Sequence, residues 1–162
     1  MNLRAEGARP AAKVITVSDG VAGGTREDKS GRALVELLES HGFEVVDRRV
    51  IPDGAGEVAA ALEVASVGFA GLVVTTGGTG FGPRDETPEG TKMVLEKEAP
   101  GLAEAMRLVN PLGRLSRAVA GSRGETLICN VPGSEKGAVE SLEAVIDVLA
   151  HAIDLLGGGR PH

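Results

Sequence analysis

The chain has 162 residues, 42% of them hydrophobic and 25% charged, which fits one soluble globular domain with one sizeable core. A formal net charge of −6 argues against a nucleic-acid or anionic-membrane surface as the main partner. No apolar run approaches the ~18 residues that a membrane span requires, so a transmembrane segment is excluded as well.

Three segments follow from composition. Residues 1–12 contain no apolar signal core and are predicted to form a disordered leader, which indicates a cytoplasmic protein. Residues 13–157 form the predicted domain, and residues 158–162 form a tail. The single Cys129 excludes an internal disulfide framework and a multi-thiolate metal site, so it is interpreted as a small buried hydrophobic residue.

The first half of the chain alternates apolar β-branched runs with segments whose apolar residues have helical spacing. The predicted elements are a strand at Lys13–Ser18, a helix that Ser30 caps and Gly42 ends, a strand at Phe43–Ile51, a helix around Val58–Ala65, and a strand at Leu72–Thr76. The polar stretch Asp19–Lys29 is predicted to be a loop.

The second half is predicted to contain more helix than strand. The elements are a helix at Thr87–Glu96 with Thr87 as its cap, a helix at Pro100–Val109, strands at Leu115–Ala120 and Glu125–Asn130 joined as a hairpin around Gly121–Gly124, and one final helix whose apolar stripe runs from Leu142 to Leu156. This order predicts an α/β fold: a single domain of three α/β/α layers around a mostly parallel sheet.

Ligands of such folds bind beyond the carboxyl ends of the parallel strands. Four polar segments are predicted to meet there: Ser18–Asp19, the turn at Asp53, the stretch Gly77–Asp85, and Asn130–Gly133. The stretch Gly77–Asp85 stands out, because a strand, a glycine-rich loop and a helix start present free amides to an anion. Its sequence matches neither the dinucleotide fingerprint nor the Walker loop.

The chemistry available on this rim is that of carboxylates, hydroxyls and amides. Asp19, Asp53 and Asp85 are the acids, and no histidine of the chain is predicted to lie there, which argues against a His-based nucleophile or a His-rich zinc site. Carboxylates without imidazole suit Mg²⁺ bound together with phosphates. Phosphoryl or nucleotidyl transfer fits this inventory, although Asp53 in a Pro-Asp-Gly turn and Asp85 before a helix also have purely structural interpretations.

Read together, these motifs resemble the molybdopterin-binding domain of molybdenum-cofactor biosynthesis proteins, a family that includes MogA/MoaB-type proteins and a domain of gephyrin. The resemblance covers nearly the whole chain. The segments that carry it are Ser18–Asp19, Asp28–Gly31, Ile51–Asp53, Gly77–Gly80, Arg84–Asp85, Thr87–Glu89, Pro100–Gly101, Met106–Arg107, Ser116–Arg117 and Asn130–Gly133.

This resemblance implies an enzyme that transfers the adenylyl group of ATP, with Mg²⁺, to the terminal phosphate of molybdopterin and releases pyrophosphate. It implies catalytic roles for Asp53, on the Mg–ATP side and as a metal ligand, and for Asp85, on the pterin side. The Gly77–Gly80 loop and Ser116 would hold the pterin and its phosphate, and Ser18, Asp19, Ser30 and the Pro132–Gly133 loop would lie nearer the nucleotide. The implied binding residues are Ser18, Asp19, Ser30, Gly77, Gly78, Thr79, Gly80, Arg84, Thr87, Ser116, Pro132 and Gly133.

The resemblance also implies a homo-oligomer, a trimer or a hexamer, and a molybdate-inserting protein as a partner. Three residues depart from the family pattern: Glu86 stands where an apolar residue is usual, Gly90 where alanine is usual, and Glu135 where proline is common. Glu86 adds negative charge beside Asp85, and Gly90 is predicted to loosen the first helical turn by ~1 kcal/mol. Two alternatives stay open: a molybdopterin-binding carrier or scaffold without adenylyl transfer, and a nucleotide-derivative hydrolase of the competence-damage type.

Overall fold

The computed structural model describes residues 7–159. Residues 1–6 and 160–162, which include parts of the predicted leader and tail, lie outside the described residues. The elements in chain order are β1 (Ala11–Val17), α1 (Asp19–Ala22), α2 (Lys29–Ser40), β2 (Glu44–Ile51), α3 (Ala55–Ser66), β3 (Gly71–Thr76), α4 (Thr87–Val94), β4 (Lys97–Glu98), α5 (Pro100–Leu108), a 3₁₀ helix (Pro111–Leu115), β5 (Ala120–Arg123), β6 (Thr126–Val131), α6 (Glu135–Glu143) and α7 (Ile146–Leu156).

The strands form one six-stranded sheet in the order β2-β1-β3-β6-β5-β4. The strands β2, β1, β3 and β6 are mutually parallel, whereas β5 and β4 are antiparallel to their neighbours. All residues of β3 and β6 are buried, since these strands lie inside the sheet and are covered on both faces. The predicted three-layer α/β/α fold with a mostly parallel sheet is confirmed.

Two hydrophobic clusters lie on opposite faces of the sheet, because successive strand residues point to opposite faces. Val14 and Val74 pack with residues of α2, α6 and α7, whereas Ile15 and Val73 pack with residues of α3 and α4. Cys129 is fully buried in the first cluster, as the sequence predicts, and burial raises the pKa of its thiol to about 12. No helix among residues 7–159 is both long and apolar enough to cross a membrane.

The predicted final helix is wrong, because the segment folds as two helices. Ser134 caps α6 by accepting from the Gly137 amide at 3.1 Å. A turn at Ala144–Val145 then separates α6 from α7. Leu142 of α6 and Leu149 of α7 pack in the same cluster. The apolar period therefore continues across the break, and periodicity alone does not report it.

The predicted hairpin is shifted along the chain. Residues 116–119 are not a strand: a 3₁₀ helix precedes them, β5 follows them, and the turn lies at Gly124. Gly121 lies in β5 rather than in the turn, and a Cβ there would come within 2.2 Å of the Lys97 carbonyl oxygen of β4. The short strand β4 has no signal in the sequence pattern, and it explains why position 121 has no side chain.

Candidate active site

A first cavity of about 580 Å³ lies at the carboxyl ends of the parallel strands. It collects residues that follow β1, β2, β3 and β6, because parallel strands present their carboxyl ends at one edge. The predicted site residues that line it are Ser18, Ser30, Asp53, Gly77, Gly78, Asp85 and Gly133. Asp53 and Asp85, which the resemblance puts on different substrates, therefore line the same cavity.

A second cavity of about 580 Å³ adjoins the first, and Ser134 lines both. The predicted residues Thr79, Gly80, Ser116 and Pro132 line it. Its remaining wall is more apolar, since four side chains from α5, its C-cap and the 3₁₀ helix contribute to it: Met106, Val109, Leu112 and Leu115. The glycine loop after β3 lines both cavities, with Gly77 and Gly78 on the first and Thr79 and Gly80 on the second.

Three predicted binding residues, Asp19, Arg84 and Thr87, are not among the residues that line either cavity. Asp19 and Asp53 cross-link two turns: the Asp19 amide donates to Asp53 Oδ2 at 2.9 Å, and the Asp53 amide donates to Asp19 Oδ1 at 3.1 Å. Arg84 donates through Nε to Asp19 Oδ2 at 2.8 Å and through Nη2 to the Asp53 carbonyl at 2.9 Å. The hydrogen bond from Arg84 lowers the pKa of Asp19, so this carboxylate stays ionised and faces the arginine.

Thr87 holds the glycine loop from beneath. Its hydroxyl donates to the Gly77 carbonyl at 2.8 Å and its amide donates to the Gly78 carbonyl at 3.0 Å. The predicted helix cap is wrong by one residue, because Glu86 is the N-cap of α4 and the fully buried Thr87 is its first residue. The hydroxyl is used for the loop instead of for the helix.

The glycine loop depends on backbone geometry that other residues rarely adopt. Gly77 has φ +104° and Gly78 has φ +69°, and a Cβ at either position would come within 2.2 Å of an oxygen, Val17 O and Thr87 Oγ1 respectively. Among residues 7–159, the amides of Gly78, Thr79 and Gly80 have no hydrogen-bond acceptor. Free amides in such a turn are suited to a phosphate or another anion.

Arg117, which was not among the predicted site residues, holds the carbonyl side of the same loop. Its amide donates to the Thr79 carbonyl at 2.9 Å, its Nε donates to the Gly80 carbonyl at 2.8 Å, and its Nη2 donates to the Asp85 carbonyl at 2.7 Å. Its Nη1 pairs with Glu89, and this hydrogen bond lowers the pKa of that carboxyl. Because the carbonyls face Arg117, the loop amides are left for a ligand.

Two cations of the first cavity were also missed. Arg26 and Lys29 line it, and neither side chain has a hydrogen bond or ion pair among the described residues. For Lys29 a signal was present, since the resemblance includes Asp28–Gly31, whereas Arg26 lies outside every segment that carries the resemblance. Ser30 is not the cap of α2 as predicted: Asp28 is, accepting from the Gly31 amide at 3.0 Å, and the buried Ser30 hydroxyl lies 3.0 Å from Thr76 Oγ1.

The donor set of the first cavity fits Mg²⁺ carried by a phosphate ligand. Asp53 and Asp85 each use Oδ2 as an acceptor, from the Asp19 and Gly82 amides, and each keeps Oδ1 without a donor among the described residues. No group of three His, Cys, Asp or Glu side chains within residues 7–159 could hold a metal by itself. Mg²⁺ characteristically takes one or two carboxylates and completes its shell with waters and phosphate oxygens.

Two of the residues that depart from the family pattern, Glu86 and Gly90, lie against the start of α3. Glu86 Oε2 accepts from the Ala55 amide at 3.0 Å, so its charge lies at the start of α3. A Cβ on Gly90 would come within 2.5 Å of the Ala55 carbonyl oxygen and 2.7 Å of Val58 Cβ. The absence of a side chain at position 90 therefore permits close packing of α4 on α3. Helix propensity alone does not include this packing.

Comparison with known proteins gives a consistent family. A family model described as a probable molybdopterin binding domain matches residues 13–151. The molybdopterin adenylyltransferase of Helicobacter pylori strain J99 is 38% identical over 152 residues, which cover 90% of this chain and 86% of that protein. The Escherichia coli K12 protein of the same name is also 38% identical over 152 residues, covering 86% of this chain and 77% of its own. The crystal structure of the molybdopterin biosynthesis enzyme MoaB from Thermus thermophilus has a TM-score of 0.86 and 46% identity, covering 94% of this chain and 98% of that one.

Proposed function

We propose a function from the premise that this chain belongs to the molybdopterin-binding domain family of molybdenum cofactor biosynthesis. It is a nucleotidyltransferase, a molybdopterin adenylyltransferase, whose catalytic unit is residues 13–157 and whose location is cytoplasmic. The reaction transfers the adenylyl group of ATP, with Mg²⁺, to the terminal phosphate of molybdopterin and gives adenylylated molybdopterin and pyrophosphate.

The observation that carries this proposal is a pair of adjoining cavities, both lined by the same glycine loop. A transferase must hold two substrates with their reacting groups in contact, and two cavities that share Ser134 and the glycine loop meet that requirement. The first cavity, with its carboxylates and cations, suits a nucleotide triphosphate with Mg²⁺. The second, with its apolar wall, suits the ring system of a pterin. The free amides of Gly78–Gly80 lie between them and suit the phosphate that reacts.

The residues of the first cavity divide between charge neutralisation and metal binding. Arg26 and Lys29 would neutralise the phosphates that leave as pyrophosphate, and Ser18, Ser30 and Gly133 would line the nucleotide. Asp53 and Asp85 would hold Mg²⁺ through their remaining oxygens. When bound, this ion supplies charge neutralisation for the phosphate oxygens of ATP. Both aspartates line this cavity, so the assignment of Asp85 to the pterin side stays a prediction.

The chain needs to supply position and charge rather than a base. The terminal phosphate of molybdopterin is already ionised near neutral pH, so its oxygen can attack the α-phosphorus of ATP while the bond to pyrophosphate breaks. Thr79, Gly80 and Ser116 would hold the attacking group in the second cavity. Arg117 and Thr87 fix the loop that presents the amides, and Asp19 and Arg84 fix the turn that carries Asp53.

An exposed apolar surface supports the oligomer in the same proposal. Leu108, Leu112 and Leu115 are 84%, 72% and 57% exposed, and Leu112 and Leu115 also line the second cavity. Association of copies into a trimer or hexamer through this surface would cover it. Sedimentation of the purified chain tests this part, and a monomer at micromolar concentration contradicts it. The product would pass to a molybdate-inserting protein.

The deciding experiment measures adenylylated molybdopterin formed from Mg–ATP by wild type, Asp53→Asn and Asp85→Asn. Asparagine keeps an oxygen that can accept from the Asp19 or Gly82 amide and removes only the charge, so the turns should survive. We expect product from wild type and at least about a hundredfold loss in both variants. Asp47→Asn changes a partly exposed aspartate outside both cavities; it is the matched control and should retain full activity.

Pterin binding by wild type without any product would contradict the transferase and leave the carrier or scaffold. Hydrolysis of a nucleotide derivative without transfer to molybdopterin would favour the hydrolase. The names of the relatives support the transferase over both.

A further inference from the structure

The start of α3 is capped by a residue from a distant part of the chain. Asp53 lies two residues before α3, and Gly54, the N-cap of this helix, has φ +128° and no side chain that could cap it. Glu86 supplies the acceptor instead, since its Oε2 accepts from the Ala55 amide at 3.0 Å. A helix start carries unsatisfied amides and partial positive charge, so a carboxylate there is stabilising.

The residue on the other side of Asp85 holds the same turn. Arg84 donates to the Asp53 carbonyl at 2.9 Å. Arg84 and Glu86 therefore hydrogen-bond the backbone on the two sides of Gly54, at Asp53 and at Ala55. Asp85, between them, is directed elsewhere: its Oδ2 accepts from the Gly82 amide at 2.8 Å. The chain segment that carries Asp85 is thus attached on both sides to the turn that carries Asp53.

Close packing at Gly90 makes the attachment possible. The Ala55 carbonyl oxygen would lie 2.5 Å from a Cβ at position 90, and the Ala55 amide is the group that Glu86 binds. A side chain at position 90 would push the start of α3 away from α4 and lengthen the hydrogen bond from Ala55 to Glu86. Two of the departures from the family pattern, at positions 86 and 90, therefore act on one residue, Ala55.

We propose that Glu86, with Gly90, is a positioning residue that fixes the Asp53 turn against the Asp85 segment. Glu86 touches no substrate in this role. It acts by setting the distance between the two carboxylates of the first cavity, and small displacements of reacting groups cost large factors in rate. The kinetic part rests on the proposed function, whereas the attachment of the turn does not.

The test compares Glu86→Gln, which keeps an acceptor oxygen of the same length, with Glu86→Leu, which keeps similar volume and loses it. Glu57→Leu removes an exposed acid from the first turn of the same helix and is the matched control. Hydrogen exchange of the Ala55 amide by NMR is the first readout. We expect at least about tenfold faster exchange in Glu86→Leu and wild-type exchange in Glu86→Gln and Glu57→Leu.

Steady-state kinetics are the second readout. Glu86→Leu should lower kcat about tenfold with less than about a twofold change in KM for ATP or molybdopterin, and Glu86→Gln should restore wild-type kcat. Gly90→Ala should reproduce the loss, and Glu86→Leu/Gly90→Ala should be no worse than the stronger single variant. Unchanged Ala55 exchange in Glu86→Leu overturns the proposal, and so does a glutamine variant as impaired as leucine. Absence of product from wild type contradicts the proposed function alone, because Ala55 exchange still tests the attachment.

Discussion

The two cavities have the same approximate volume but are lined by different parts of the fold. Residues that come directly after parallel strands form much of the first, with carboxylates from two turns and the cations Arg26 and Lys29. The second is lined mainly by α5, by the 3₁₀ helix with its flanking residues, and by α6. The comparison shows that polar side chains gather where strand ends converge, whereas helices and the segment around the 3₁₀ helix shape the more apolar cavity.

A substitution in the glycine loop should have the largest effect on activity, because this loop lines both cavities. Gly78→Ala would place a Cβ 2.2 Å from Thr87 Oγ1 at φ +69°. We expect at least about a hundredfold loss of adenylyl transfer, because the loop must move away from both substrates. Gly68→Ala is the control: it has φ +61° but no atom within 4 Å, so it should cost about 1–2 kcal/mol of stability and no activity. Equal activity losses in the two variants would contradict a special role for the loop.

Removal of the Arg117 side chain should impair the use of molybdopterin more than the binding of ATP. Arg117→Ala releases the carbonyls of Gly80 and Asp85, so the end of the loop that lines the second cavity loses two hydrogen bonds and keeps the one from the residue 117 amide to the Thr79 carbonyl. We expect roughly a tenfold to hundredfold lower kcat/KM for molybdopterin, measured with ATP saturating. Arg123→Ala, which removes one guanidinium bond to the Val94 carbonyl outside both cavities, is the control. A lower ATP affinity with unchanged molybdopterin kinetics would contradict the assignment.

The substrate preference of each cavity can be separated with a pair of truncations. Lys29→Ala removes a free cation from the first cavity, and Ser116→Ala removes a hydroxyl from the second. We expect KM for ATP to rise about fivefold in the first variant and KM for molybdopterin to rise by a similar factor in the second, since each contact is worth ~1 kcal/mol. Steady-state kinetics with each substrate varied in turn measure this. If Lys29→Ala raised KM for molybdopterin and Ser116→Ala raised KM for ATP, the assignment of substrates to cavities would be reversed.

The smallest expected effect concerns pH and the Asp19–Arg84 ion pair. Arg84 lowers the folded-state pKa of Asp19, so the pair stabilises the fold fully above the unfolded value of about 3.9 and is lost as pH falls through the lowered folded value. Both side chains are about half exposed or more, so solvent screening keeps the effect small. Thermal unfolding of wild type and Asp19→Asn should therefore differ slightly at pH 7 and converge near pH 2. A difference that grows as the pH falls would contradict the assigned cause.

Much of the site was predictable because parallel strands bring their ends together without any further information. Ser18, Asp53 and Gly77 follow three such strands, and the structure places all three on one cavity. Arg117 was missed because its function is to satisfy carbonyls of a loop that is distant in sequence. Its only signal was membership of the matching segment Ser116–Arg117, which carries no information on contacts.

The positions of helix ends were predicted least well from the sequence. Ser30 and Thr87 each have the side chain of a helix cap, yet Asp28 and Glu86 take that position while the two hydroxyls bind Thr76 and the Gly77 carbonyl. A hydroxyl can satisfy its own helix or a neighbouring strand end, and only the packed neighbours decide between these partners.

The sequence by itself determined the layers, the parallel strands and the rim on which the carboxylates lie, since apolar period and chain order are local properties. Only the tertiary structure decided that Asp53 and Asp85 share one cavity and that Glu86 caps α3. It also decided that Gly90 allows two helices to meet. These outcomes depend on contacts between segments distant in the chain, whose geometry is set by close packing and by the need of buried polar groups to find partners.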